Sequence, residues 1–189
     1  MKPETRKEEI IKTSARLFKE KGFSAVTMRD IAKAMGIKAA SLYNHINSKQ
    51  EILSEIIITL AEEFTNGIEA IKKSDNNCID NLKSVVNLHV DITSRNTYGM
   101  ASLNNDWMHL EDKLEYYLQL RKNHENNIRQ IIEIGKKNNE LVTADADVML
   151  FSILSTLRSL YIWIPKKEEL NPQSLALNLS KVLLNGIIK

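Results

Sequence analysis

The side chains best suited to recognition chemistry crowd into one short stretch. Between Thr27 and Lys49 stand Arg29, Lys38, Ala39, Ala40, Ser41, Tyr43, Asn44 and His45. This is a set for reading a nucleic-acid duplex rather than for making or breaking bonds. Ser41 and Asn44 can donate and accept toward base edges, and small residues such as Ala39 and Ala40 let a backbone approach the groove floor and touch a thymine methyl. Thr27, Tyr43 and Lys49 suit phosphate oxygens, which fix register without reading sequence. Elsewhere the chemistry is sparse. The four histidines, His45, His89, His109 and His124, lack the short His, Cys or acid spacing of a zinc site. No phosphate-binding glycine loop and no G-x-S-x-G elbow occurs, and no carboxylate pair stands out. No catalytic residue, metal ligand or cofactor is therefore expected.

The elements that must carry these side chains are short helices. Thr27 and Asp30 have capping-box spacing, so a helix starts there, with Ile31, Ala32 and Met35 on one apolar face. Gly36 suits the left-handed turn that ends it, and Ile37 can plug the angle that follows. A second helix spans roughly Lys38 to His45, with Leu42 and Ile46 inward by spacing and the polar residues on the other faces. Ser48 and Glu51 form another capping box, so a new helix begins near Lys49. Upstream, a helix from about Thr5 to Lys21, capped by Thr5 and Glu8, offers Ile10, Ile11, Ala15, Leu17 and Phe18; Phe23 and Val26 complete a small core. Two short helices about a glycine, covered by a third, form a helix-turn-helix, whose second helix enters the major groove. Lys2, Arg6 and Lys7 are either phosphate contacts or surface charge.

Charge supports this reading. Residues 1–50 hold eleven of the 26 Lys and Arg and five of the 24 Asp and Glu, a balance of +6; the remainder carries −4. A basic head on an acidic body fits a head that meets a polyanion. A chain of 189 residues can build a sizeable core. Cys78 stands alone, which leaves no disulfide framework. The start, MKPETRKEEI, is too charged for a secretory signal. Val148–Ile164 is apolar but short for a membrane span and interrupted by Arg158 and serines. A cytoplasmic protein without a membrane partner is expected.

The remaining helices are read at about 48–73, 79–95, 100–110, 113–138, 144–164 and 172–187. Thr97-Tyr98-Gly99 breaks the fifth, Thr143 can cap the eighth, Pro165 stops it, and Asn171-Pro172 starts the ninth. The last two helices are apolar on nearly all sides, which demands cover on nearly all sides. A second copy of the chain supplies that cover most simply, as a four-helix interface. Met100, Leu103, Trp107, Tyr117, Phe151 and Trp163 are candidates to line an apolar ligand cavity, with Arg121 and Arg158 as anchors for a carboxylate or phosphate.

The run G-I-K-A-A-S-L-Y-N-H-I-N-S-K-Q-E-I-L, from Gly36 to Leu53, resembles the amino-terminal DNA-binding domain of the tetracycline-repressor (TetR) family. So does A-x-x-L-F-x-x-x-G-F-x-x-x-T-x-R-D-I-A, from Ala15 to Ala32. The resemblance implies an all-α homodimer that represses transcription at a double-stranded operator and lets go when a small molecule binds the carboxy-terminal domain. Two positions depart: Lys38 stands where many relatives have a capping Ser or Thr, and Ile46 where many have an aromatic residue. The stretch from Trp107-Met108-His109-Leu110 through Arg121 to Gly135, with Trp163, is similar to the sensor of a TetR branch that controls lipid degradation. That similarity implies an acyl-CoA or fatty-acid-like effector.

The expectation is thus an all-α protein of about nine helices, with a helix-turn-helix domain over 1–47 and a helical ligand-binding and dimerisation domain over 48–189. A helical small-molecule-binding protein or enzyme without DNA binding, or a helical adaptor, are the competing readings.

Overall fold

The computed structural model describes residues 5–167 and 169–188, so the expectation for Lys2 lies outside the described residues. Among these, nine α-helices follow in order: α1 (Arg6–Lys21), α2 (Met28–Ala34), α3 (Ala39–Tyr43), α4 (Lys49–Lys72), α5 (Cys78–Arg95), α6 (Thr97–Asn105), α7 (Leu114–Lys137), α8 (Ala146–Trp163) and α9 (Pro172–Leu184). Short 3-10 turns cover Trp107–His109, Glu111–Lys113 and Ile164–Lys166. Among the described residues β pairing is limited to one isolated antiparallel bridge between Leu141 and Ile188.

Local chemistry sets most helix starts. Thr5 with Glu8, and Thr27 with Asp30, each make a reciprocal capping box. Hydrogen bonds from Thr27 hold the Asp30 carboxyl below its ordinary range. At α4, Glu51 N–H donates to Ser48 Oγ as expected, but the Glu51 carboxylate turns one residue further back, accepting from Asn47 N–H at 2.8 Å. Asn77 caps α5, and Asn171 caps α9 ahead of Pro172.

Three expected boundaries differ. Asp145, not Thr143, caps α8 by accepting from the Asp147 and Val148 N–H groups. Thr97-Tyr98-Gly99 does not break the chain. Asn96 alone makes the turn, and Gly99 is buried inside α6. The ninth helix stops at Leu184, and the residues beyond it turn so that Ile187 C=O accepts from Val142 N–H.

The chain divides into two compact units. One holds the described residues up to Ala61 together with Tyr98–Tyr117; the other holds Glu62–Thr97 and 118–188. The first unit buries Ile10, Phe18, Val26, Ile31, Leu42, Ile46, Leu53 and Ile57 almost completely. Gly36, at φ +66°, makes the turn between α2 and α3 in a conformation L side chains rarely adopt. The second unit is built on Ile68, Leu82, Val85, Val86, Ile128, Ile132, Leu154 and Leu157. Within the 21 residues Ala146–Lys166 an 18-residue window has a mean hydropathy of 1.5, enough by length and composition to cross a membrane. Met149, Leu150, Ile153, Leu154, Leu157 and Leu160 of that helix nevertheless lie in the second unit's core.

Two expectations follow from this packing. A Cβ on Gly135 would stand 2.2 Å from Cys78 Sγ and 3.0 Å from Leu141 Cδ1. Gly135→Ala should therefore lose about 2 kcal/mol in urea unfolding despite its better helix propensity, and Cys78→Ala in the same chain should recover part of that loss. Lys38 caps α3 with no side-chain hydrogen bond. Lys38→Ser should raise stability by about 1 kcal/mol in the same assay.

Candidate nucleic-acid interface and effector site

The five-residue helix α3 is held by two buried side chains, Leu42 at 0% and Ile46 at 1% exposure. Its other faces look outward. Lys38, Ala40, Tyr43, Asn44 and His45 are exposed, Tyr43 by 51%, while Ala39 and Ser41 are half-buried. Arg29 is exposed on α2. Thr27 is exposed as well, with its hydroxyl occupied by Asp30: Oγ1 accepts from the Asp30 N–H and donates to Oδ2 at 2.6 Å. Ala39, Ala40, Ser41, Tyr43, Asn44 and His45 thus belong to one short outward-facing segment, with Lys38 at its start. Because Lys38 supplies no cap, the first N–H groups of α3 have no side-chain acceptor from it.

Lys49, expected on a phosphate, is placed differently. Its ammonium donates to the carbonyl oxygens of Phe23 and Val26, each at 2.8 Å, and of Ser24 at 3.4 Å. It also lies 4.3 Å from the centre of the Phe23 ring. The loop between α1 and α2 ends in carbonyls that no helix satisfies, and this cation gathers them. Phe23 is the hub of the arrangement. Its ring meets Phe18 edge-on at 5.2 Å and stacks on His109 at 5.1 Å. Burial raises the Asp106 carboxyl above its ordinary range. Sequence reasoning gave Asp106 and His109 no role here, because more than eighty residues separate them from Phe23.

The eight expected ligand residues do not form one group. In the first unit, Met100 and Tyr117 are buried and Leu103 and Trp107 half-buried. Tyr117 donates its hydroxyl to Leu103 C=O at 3.2 Å and lies 6.1 Å from the Trp107 ring. In the second unit, Arg121 and Arg158 converge on one acid, Glu125. Burial pushes that carboxyl up, but the two guanidiniums, Arg158 foremost, hold it below its ordinary range. Beside them lies a pair that sequence reasoning missed, His89 and His124, both buried, with Nε2 atoms 3.2 Å apart.

Phe151 and Trp163 point away from this cluster: they are 72% and 43% exposed on the outer face of α8. A helix apolar on all sides offers no spacing signal to say which apolar side chains face in. The same outer face carries Val148 and Ile162, and α9 adds Leu177 and Val182, all about half exposed or more. Between α8 and α9 runs an open groove of about 520 Å³ lined by Ser155, Ser159, Trp163, Leu175 and Leu179. Among the described residues no group of three or more His, Cys, Asp or Glu side chains is placed to hold a metal ion.

Comparison with known proteins accounts for this arrangement. The model of bacterial regulatory proteins of the tetR family matches residues 10–56, and that of the tetracyclin repressor-like C-terminal domain matches residues 75–187. The HTH-type transcriptional repressor KstR2 of Rhodococcus jostii (strain RHA1) is 27% identical over 147 residues, 77% of this chain and 72% of that protein. The structure of ketosteroid transcriptional regulator KstR2 of Mycobacterium tuberculosis shares the fold, with a TM-score of 0.91 at 22% identity over 98% of this chain and 96% of the other. So does AibR in complex with isovaleryl coenzyme A and operator DNA, at a TM-score of 0.74 and 19% identity over 94% and 97% of the two chains. These are DNA-binding regulators, which sets aside the readings as an enzyme, a carrier or an adaptor. With one model on the helix-turn-helix and a second on more than half its length, this chain belongs to the TetR family of transcriptional regulators.

Proposed function

We propose that the protein is a cytoplasmic homodimeric repressor that holds a near-palindromic operator and releases it when a small apolar or acyl-CoA-like effector binds. The observation that carries the reading is the outward face of α3, with Leu42 and Ile46 fully engaged below it. The reading head is assigned to residues 1–47. Ala39, Ala40, Ser41, Asn44 and His45 meet base edges. Thr27, Arg29, Lys38 and Tyr43 hold phosphates. Lys49 serves the interface indirectly, by fixing the loop that precedes α2. The dimer is assigned to α8 and α9, whose outer faces expose Val148, Phe151, Ile162, Leu177 and Val182. A patch of that kind on a lone protomer calls for a partner surface. The effector is assigned to the second unit, with Arg121 and Arg158 toward its acidic part. A protein of the same fold, AibR, holds isovaleryl coenzyme A.

Selection of a preferred duplex from a random oligonucleotide pool, read by gel shift, tests the reading. Failure to enrich any sequence sinks it. On the selected site, Asn44→Ala should change base preference at one position of each half-site, at about 1–3 kcal/mol. Tyr43→Ala should weaken all duplexes alike, and Arg29→Ala should reduce the slope of log affinity against log salt by about one. Val182→Glu with Phe151→Glu should give a folded monomer by light scattering, and that monomer should bind a single half-site no worse than the parent while losing the gain from two.

A further inference from the structure

We propose that His89 and His124 form an acid-sensitive latch in the seam between α5 and α7, closed while their imidazoles share one hydrogen and parted when both rings carry a proton. The latch is independent of the operator and effector readings above.

Its first support is the register of the seam. Gly135 of α7 stands against Cys78 of α5, whose thiol also donates to Ile131 C=O at 3.3 Å. Eleven residues on along α5 and eleven back along α7, His89 meets His124, with Nε2 atoms 3.2 Å apart. Eleven residues make about three helical turns, so both pairs lie on one antiparallel seam. The layers between them are apolar. Leu82, Val85 and Val86 of α5 and Ile128, Ile131 and Ile132 of α7 all belong to the core of the second unit. The histidines, 3% and 7% exposed, occupy the next layer of the same stripe.

A polar layer in an apolar seam fixes register at a cost in stability, and a pair of amides would do so as well. Histidine adds what amides lack, a proton taken up in mild acid. In the closed seam both rings are held neutral. Burial acts most strongly on His89, followed by the charges of His124 and Arg158. Burial and then Arg158, opposed by Glu125, bring His124 down to about 4.

Hydrogen bonding sets the two states apart. One hydrogen between the two Nε2 atoms makes a bond. Hydrogens on both leave no acceptor and bring two like charges together. His89 Nδ1 and, one turn along α5, the buried hydroxyl of Thr93 have no hydrogen-bond partner among the described residues. Once the helices part, water reaches all of these groups.

The charged groups that reach the pair are Arg158 of α8 and Glu125 of α7. From α4 the uncharged Phe64 ring packs on both imidazoles, at 4.6 and 5.5 Å. Lys181, the one titratable residue of α9, is exposed. Both rings lie below the ordinary imidazole value of about 6.5. The stability they lend the closed seam is therefore complete above that pH and is lost as pH falls from there toward about 4.

Hydrogen exchange of the full chain, read by mass spectrometry and corrected for the intrinsic rate, tests the latch. Between pH 7 and 5 the protection of peptides around His89 and His124 should fall at least tenfold, while that of α1 changes by less than about threefold. His89→Leu with His124→Leu, which makes the layer apolar, should hold the seam's protection within about threefold over the same range. In the parent, two of the four imidazole resonances should stay unshifted in NMR spectra from pH 8 to 5.5, a readout that stands whether or not the variant folds. A parent seam whose protection ignores pH, a folded variant that loses protection as the parent does, an equal loss in α1, or titration of all four imidazoles in that range would each overturn the proposal.

Discussion

A helix of five residues cannot persist alone in water, because nucleation uses up most of what so few hydrogen bonds return. The protein's contact with DNA depends on that constraint being met by tertiary packing. Leu42 and Ile46 supply it, anchoring α3 to the core that Ile10, Phe18, Val26 and Ile31 build. The side chains left over are the ones able to read bases, and their outward direction follows from the two that cannot leave the core. Phe23 and Lys49 extend the same logic to the loop before α2. The cation binds three carbonyls and covers a ring that also packs on Phe18 and His109. Segment 98–117, late in sequence, is thereby part of the unit that carries α3.

The second unit resolves a different conflict. Its helices α8 and α9 are too apolar for a surface and too few to cover themselves. Inner residues such as Leu154 and Leu157 complete a core, and outer ones such as Phe151 and Val182 remain exposed. Against that apolar background the His89, His124, Thr93 and Arg158 cluster is out of keeping with simple packing.

What was legible in the sequence was local. Thr5 with Glu8, Thr27 with Asp30, Gly36 and Asn171-Pro172 announce their structures within four residues, and the inward spacing of Leu42 and Ile46 shows which face of α3 is left over. Errors arose where two local signals competed or where the deciding partner was remote. Thr143 and Asp145 are both competent caps two residues apart, and only the course of α8 chooses between them. Gly99 reads as a breaker but fits a buried helical position. Lys49 resembles a phosphate contact until the carbonyls of Phe23 and Val26 are folded against it. The His89–His124 pair spans thirty-five positions and has no short-range signature.

The notch at Gly135 has a practical corollary. Cys78 lies 4% exposed beneath it, and burial, with the nearby charge of Glu140, pushes its thiol up to about 11. Only the thiolate attacks disulfides and alkylating reagents, so the native protein resists them twice over, by access and by ionisation. It is the chain's only sulfhydryl. Modification by a chromogenic thiol reagent therefore marks the moment that the seam between α5 and α7 parts, which gives the protein a built-in clock for its own opening.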